Sequence, residues 1–342
     1  MKQVNWGIIG LGKIALQFAE NVNLADNAKI KGISSKDQKK IEYFKTKFQI
    51  EKKYCYNNYE DLLDCDDIDI IYIALPNSLH YEWINKCIQK NKRILVEKPS
   101  TLNFSQIKTI DEKFDMKNIF FAEAFMYRFH PQILKIIDII KKKEIGNILS
   151  MKSYFGTDIL TKKNFVGFKR KKNIDENNRL FSKKLGGGAI LDLGCYPVSF
   201  SILIASLVSR DSFKDFQILN KKKEISITDV DIDSYAEIKF ENNFIAKVGA
   251  SFTKNLGKQT EIIGNEGKII IEDTWHGLSS KIYVINKGDK KEIKFKTKDN
   301  AYTCQIKSLS KDILEHKKKP EFPGMTFDES LFNMKIIQEW LN

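Results

Sequence analysis

Within its first 23 residues the chain passes from an apolar strand-forming run, through a glycine turn, into a helical pattern. Val4–Ile9 is the strand, and Gly10-Leu11-Gly12-Lys13-Ile14-Ala15 follows it with the spacing G-x-G-x-x-A. Gly10 permits a tight turn, Gly12 lets backbone N–H groups approach a pyrophosphate, and Ala15 lets helix and strand pack closely. Lys13 and Ile14 fall at the helix N-terminus, whose partial positive charge suits a phosphate. A turn of this kind, between strand and helix, predicts a dinucleotide-binding sheet.

The following hundred residues keep the alternation. Strands are predicted at Ile30–Ser34, Ile68–Ala74, Arg93–Val96 and Ile119–Ala122, with helices over 37–48, 79–89 and 105–115 between them. Ile68–Ala74 is almost continuously apolar, as in a strand covered on both faces. Repeated strand–helix units imply right-handed crossovers and a doubly wound parallel sheet. After residue 122 the pattern changes. Ile148–Phe155 and most of 225–296 read as strands, separated by turn signals at Glu241-Asn242-Asn243, Gly264-Asn265-Glu266-Gly267 and Asn286-Lys287-Gly288-Asp289. Helices are predicted only over 131–143, 188–206, 304–317 and 328–340. The fold class expected is α/β, with a Rossmann domain over 1–122 and an α+β domain over 123–342 built on a large, mostly antiparallel open sheet. Thr161–Lys184 is polar, highly charged and read as an excursion between elements.

Composition removes other classes. Five scattered Cys, without a CxxC pair or a Cys/His cluster, argue against a disulfide framework or a zinc site and fit a reduced, cytoplasmic protein; no metal is proposed. The longest apolar stretch, Leu193–Val208, contains Gly194, Pro197 and three serines, and is read as a buried helix rather than a membrane span. The net charge of +13 suggests nucleic acid, but 52 of the 57 basic residues are Lys and only five are Arg, the usual choice for bidentate phosphate and base contacts. Neither a nucleic-acid nor a membrane partner is expected.

The second strand ends in Ser34-Ser35-Lys36, with Lys40 one helical turn further on. An NAD site usually has an acid here; hydroxyl and ammonium groups suit the 2′-phosphate of NADP(H). NADP(H) is therefore favoured, and Asp37, if it turns inward, would favour NAD(H) instead. Two further turns lie at the same carboxyl edge of the sheet, where ligands bind. One carries Leu75, Pro76, Asn77 and His80; the other carries Glu97, Lys98 and Pro99.

G-x-G-x-x-A, P-N-x-x-H and E-K-P in this order resemble the glucose–fructose oxidoreductase, inositol dehydrogenase and rhizopine-catabolism family (Gfo/Idh/MocA). The resemblance continues through Glu123-Ala124-Phe125-Met126-Tyr127-Arg128-Phe129-His130-Pro131, through Gly186–Pro197 and through the Gly264–Gly267 turn. The branch it is most similar to is that of the dimeric dihydrodiol dehydrogenases and NADP-dependent D-xylose dehydrogenases. It implies hydride exchange between a nicotinamide and a carbinol or carbonyl carbon, usually of a sugar or cyclic polyol, and assembly as a homodimer or homotetramer through the open sheet.

Residue by residue, the resemblance implies that Lys98 is the family's catalytic lysine and that Tyr196 is the proton-transfer partner. Asp192, one helical turn earlier, either binds a substrate hydroxyl, orients the tyrosine or caps its helix. His80 lies near the cofactor or packs beside it, and Arg128 reaches the ligand or anchors the domain junction. Trp275 and His276 are candidates for the substrate pocket wall. Where the branch has an aromatic before this arginine the chain has Met126-Tyr127, a departure that leaves the branch's substrate open. The alternative from another class is a catalytically silent NAD(P)-sensing regulator; retention of Lys98, Asp192 and Tyr196 together argues against it.

Overall fold

The computed structural model describes residues 2–163, 169–208, 215–276 and 281–342. The chain forms two compact units, and they differ from the expected division at residue 122. The first contains Met1–His130 and Lys298–Leu331; the second contains Pro131–Thr297 and Phe332–Asn342. The late segment belongs to the first unit because its apolar face has partners there: Ile306, Leu309 and Ile313 join a core with Trp6, Phe18 and Tyr72. Hydrogen bonds from Trp6 Nε1 to Ser310 Oγ (3.1 Å) and from Thr303 Oγ1 to Asn21 Oδ1 (2.8 Å) complete the contact.

The first unit has a six-stranded sheet of β1 (Val4–Ile9), β2 (Ala28–Ser34), β3 (Cys55–Tyr56), β4 (Ile70–Ile73), β5 (Arg93–Val96) and β6 (Phe121–Glu123). The order is β3-β2-β1-β4-β5-β6, with every pairing parallel. The helices are α1 (Lys13–Val22), α2 (Gln38–Phe48), α3 (Tyr59–Leu63), α4 (Asn77–Gln89) and α5 (Phe104–Lys113). In α1, Ala15, Phe18, Ala19 and Val22 share one buried stripe at helical spacing. The central strand β4 is buried at all four positions, as its unbroken apolar run predicts. The two-residue strand β3 is too short for periodicity to reveal.

The second unit opens with α6 (Pro131–Lys141) and β7 (Ile148–Gly156). Part of the charged excursion pairs as β8 (Thr161–Lys163) and β9 (Lys169–Lys171); residues 164–168 of it lie outside the described residues. A wide i→i+5 turn, Ile190–Gly194, leads into α7 (Cys195–Val208). The strands β10 (Phe216–Ile225), β11 (Asp231–Phe240), β12 (Ile245–Ser251), β13 (Thr260–Gly264), β14 (Gly267–Ile271), β15 (Lys281–Asn286) and β16 (Asp289–Lys294) follow. With β7 they make one sheet, ordered β10-β11-β12-β7-β13-β14-β15-β16 and antiparallel except between β12 and β7. The three turn signals join β11 to β12, β13 to β14 and β15 to β16; at the last, Lys287 (φ +49°) and Gly288 (φ +91°) both adopt the left-handed region that a tight hairpin favours.

The apolar helix read from Leu193–Val208 is buried almost all round, with every residue from Cys195 to Ala205 inside the second unit. Gly194 permits this, because a Cβ there would stand 2.9 Å from the Trp340 ring and 3.3 Å from Ala250. The opposite sheet face is open and mixed. Tyr154 and Tyr235 flank Gly249, where a Cβ would meet both rings at 2.8 Å. The next row pairs Glu237, Lys247, Lys152 and Glu261 across four strands. The last elements are α8 (Ala301–Leu314), which packs in the first unit, and α9 (Phe327–Leu341), within which the unit boundary falls.

Candidate active site

In the first unit the expected phosphate turn is built as the spacing requires. Gly10 has φ +85°, and a Cβ there would stand 2.7 Å from the Ala74 carbonyl oxygen, so β1 and the end of β4 approach as closely as backbones can. Helix α1 starts at Gly12 with no side-chain cap and no acid in its first turn. Helix α4, which starts after Pro76, is likewise uncapped. By contrast Asp37, Asn58, Asn103 and Asn300 cap α2, α3, α5 and α8. The two helices that open beside the predicted cofactor turns thus start without a capping side chain, as helix ends that receive a phosphate do. Lys13 is exposed and Ile14 half-buried beside this end.

The tip of β2 departs in part from expectation. Ser34 is fully buried, and its Oγ lies 2.5 Å from the Asn58 carbonyl oxygen and 3.2 Å from that of Tyr56, so it turns inward and ties β2 to the β3 segment. Ser35 Oγ accepts the Asp37 N–H at 3.1 Å. Asp37 accepts the N–H groups of Lys39 (3.0 Å) and Lys40 (3.3 Å), which commits its carboxylate to capping α2. Lys36 and Lys40 remain exposed, Lys40 with its ammonium 3.9 Å from Asp37.

His80 has the packing role that was one of the two expected of it. It is fully buried, with Nδ1 2.8 Å from the Pro99 carbonyl oxygen and Nε2 2.9 Å from that of Leu75. It clasps the two turns together. Burial, reinforced by the Lys98 charge, holds its pKa below the ordinary histidine value despite both carbonyls. Asn77 opens α4 half-buried, after the buried Leu75 and the exposed Pro76.

Lys98 is half-buried on the turn after β5. That turn is held from several sides. Glu97 accepts a hydrogen bond from Tyr72 Oη. Glu123 Oε1 accepts the Ser100 N–H at 2.9 Å. Glu123 is buried, and burial pushes its carboxyl up to about 7 against the opposing pull of Ser330, Ser100 and Arg128. Arg128 is fully buried, its guanidinium donating to Glu329 Oε1 (2.8 Å) and to the Pro323 carbonyl (3.3 Å). Of the two roles expected of Arg128, these bonds are those of an anchor, and they lie within the first unit. Tyr72 was missed in the sequence, where it is one phenol inside an apolar run.

In the second unit, Asp192 and Tyr196 are four residues apart across the i→i+5 turn, which brings both onto one stretch of helix start. Three glycines prepare it. Gly186 (φ +77°) ends a short 3₁₀ turn, Gly187 lies where a Cβ would strike the carbonyls of Leu180 and Arg179, and Gly188 has φ +112°. The half-buried Asp192 carboxylate accepts a hydrogen bond from Arg179 Nη1 at 3.1 Å. Tyr196 is buried edge-on against Phe155 (5.4 Å) and Trp275 (5.6 Å). Trp275 is fully buried and stacks on Phe155, while His276 is exposed and bonded to Asp273. Lys98 belongs to the first unit, and Asp192 and Tyr196 to the second. Among the described residues no three His, Cys, Asp or Glu side chains group as metal ligands would.

Two family profiles match the chain: the oxidoreductase family with an NAD-binding Rossmann fold over residues 4–125, and the GFO/IDH/MocA C-terminal domain over 133–270. Trans-1,2-dihydrobenzene-1,2-diol dehydrogenase of Xenopus tropicalis is 27% identical over 348 residues, covering 97% of this chain and 98% of its own. D-xylose 1-dehydrogenase (NADP(+)) 2 of Haloferax volcanii is 27% identical over 205 residues, covering 60% and 58% respectively. Among solved structures, KijD10, a 3-ketoreductase from Actinomadura kijaniata in complex with NADP and TDP-benzene, matches with a TM-score of 0.79 at 20% identity, covering 98% of this chain and 96% of that one.

Proposed function

The chain belongs to the Gfo/Idh/MocA oxidoreductases, and from that premise we propose that it exchanges a hydride between NADP(H) and a carbinol or carbonyl carbon of a sugar-like or cyclic polyol substrate. The observation that carries this reading is the pair of helices α1 and α4, opening uncapped on Gly12 and Pro76 at the edge where the Lys98 turn also ends. The NADP(H) preference is supported by the β2 tip, where Asp37 is occupied with its own helix and Lys36 and Lys40 are exposed.

When bound, the nicotinamide supplies or accepts the hydride at C4. The backbone N–H groups of α1 hold the pyrophosphate. Lys98 donates a hydrogen bond to the reacting oxygen and stabilises negative charge as it builds there. Tyr196 would take the hydroxyl proton as a phenolate when the substrate is oxidised, and as the phenol would return it when the carbonyl is reduced. Asp192, with Oδ1 held by Arg179, accepts a hydrogen bond from a neighbouring hydroxyl.

The test follows the absorbance of the reduced nicotinamide while NADPH and NADP⁺ are offered with aldoses, ketoses, inositols and diols. Lys98→Ala is expected to lower kcat by roughly 10²–10⁴-fold with cofactor affinity unchanged. Turnover at the wild-type rate in that variant would remove Lys98 from the mechanism. We further propose a homodimer or homotetramer built on the open sheet face, where Tyr154 and Tyr235 are only half-buried in the single chain. Sedimentation should give a multiple of the 39.6 kDa chain mass that Tyr235→Glu reduces; a monomeric wild type would end that proposal.

A further inference from the structure

We propose that Asp231 is a positioning residue for the catalytic turn: its carboxylate, delivered by the first residue of β11, supplies the cap that the Ile190–Gly194 turn lacks and so fixes where Asp192 and Tyr196 stand. The turn has no capping side chain of its own. Instead Asp231 Oδ2 accepts the Ile190 N–H at 2.8 Å and the Ser234 hydroxyl at 3.1 Å. Its other oxygen occupies the space beside Gly188, where a Cβ would stand 2.4 Å away. The carboxylate is therefore wedged between residues 188 and 190. Gly188 in turn accepts the Asp192 N–H through its carbonyl at 3.1 Å, so displacement at Asp231 reaches the next acid directly.

This carboxylate is only 3% exposed. Burial pushes its pKa up to about 6 against the hydrogen bonds of Ile190 and Ser234 and the charge of Lys223 on β10. Keeping a charged group there at neutral pH costs stability. A helix start can be capped at the surface without that cost, by a residue of its own chain segment, as α2 and α8 are. What the buried arrangement adds is attachment of the turn to the sheet, which fixes position as well as satisfying an N–H. It also gives the third glycine a reason: no side chain at 188 leaves room for the carboxylate.

The inference rests on the reading that Asp192 and Tyr196 meet the substrate, and the experiment separates the two. Hydrogen exchange at the Ile190 amide is read on the protein alone. Asp231→Ala should abolish its protection, while Asp231→Asn, which keeps an acceptor oxygen, should retain it. In turnover, Asp231→Ala should lose kcat by about tenfold or more, with NADPH affinity within about twofold of wild type, and Asp231→Asn should recover most of the rate. Where Asp231→Ala fails to melt cooperatively, Asp231→Glu serves in its place: it keeps the charge, moves the carboxylate by one carbon and should lower kcat more than melting temperature. Unchanged exchange at Ile190 overturns the cap. Lost protection with undiminished kcat overturns positioning. A wild type that turns over nothing in the panel overturns the functional reading, and the exchange result then stands or falls by itself.

Discussion

Glu123 shows what one residue reveals and conceals. It stands in the sequence as the first letter of an E-A-x-x-x-R pattern, yet the Ser100 N–H it accepts lies 23 positions away, and burial is invisible in a string of letters. Its folded pKa of about 7, against an ordinary 4.5, means that the folded chain binds this proton more tightly than the unfolded chain does. Stability from this group therefore falls as pH rises through that window. Glu123→Gln removes the titration and keeps an acceptor for the Ser100 N–H. Its stability relative to wild type should improve from about pH 5 to about pH 8, by up to about 3 kcal/mol. A difference in melting behaviour that stays flat with pH would contradict the buried carboxylate. Arg128 and His80 were recognisable as motif residues, each with two possible roles, but the partners that distinguish those roles were not. Each has its polar atoms committed to a distant carbonyl or carboxylate, and only tertiary structure reveals that partner.

At the level of elements, the sequence was most informative where a backbone demand or a period of two or 3.6 residues forced the residue choice. Gly10 with its positive φ, the apolar strand β4 and the hairpin at Lys287-Gly288 all follow from local chemistry, and all were legible. The strand β3 has two residues and no period. The i→i+5 turn before α7 reads as ordinary helix, because what widens it lies in sheet and glycine contacts from elsewhere in the chain. The β2 tip illustrates an intermediate case. The residue types were legible and their directions were not, so two serines turned inward while two lysines stayed outside. Replacing Lys36 and Lys40 with Ala should lower kcat/KM for NADP(H) by about tenfold or more while leaving NAD(H) nearly unchanged. Each contact to a 2′-phosphate is a charge-assisted bond. Equal losses with both cofactors would show that the lysines do not read that phosphate.

For the whole molecule, the two fold classes and their order were legible because strand–helix alternation and strand-dominated patterning occupy separate stretches of chain. The division itself was not, since nothing local marks the helix α8 as belonging with residues nearly 300 positions earlier. That return has a consequence for how the protein is made. A nascent chain carrying only residues 1–130 has all six strands of the first sheet, but Trp6, Phe18 and Tyr72 lack the cover of Ile306, Leu309 and Ile313. The first unit therefore cannot complete its core until residues 298–331 follow, after 131–297 of its neighbour have been translated. A fragment ending at His130 should expose apolar surface to a dye such as ANS and melt without cooperativity; fusing residues 298–331 to it should restore both. A fragment that melts sharply alone would show that the late helix is an ornament.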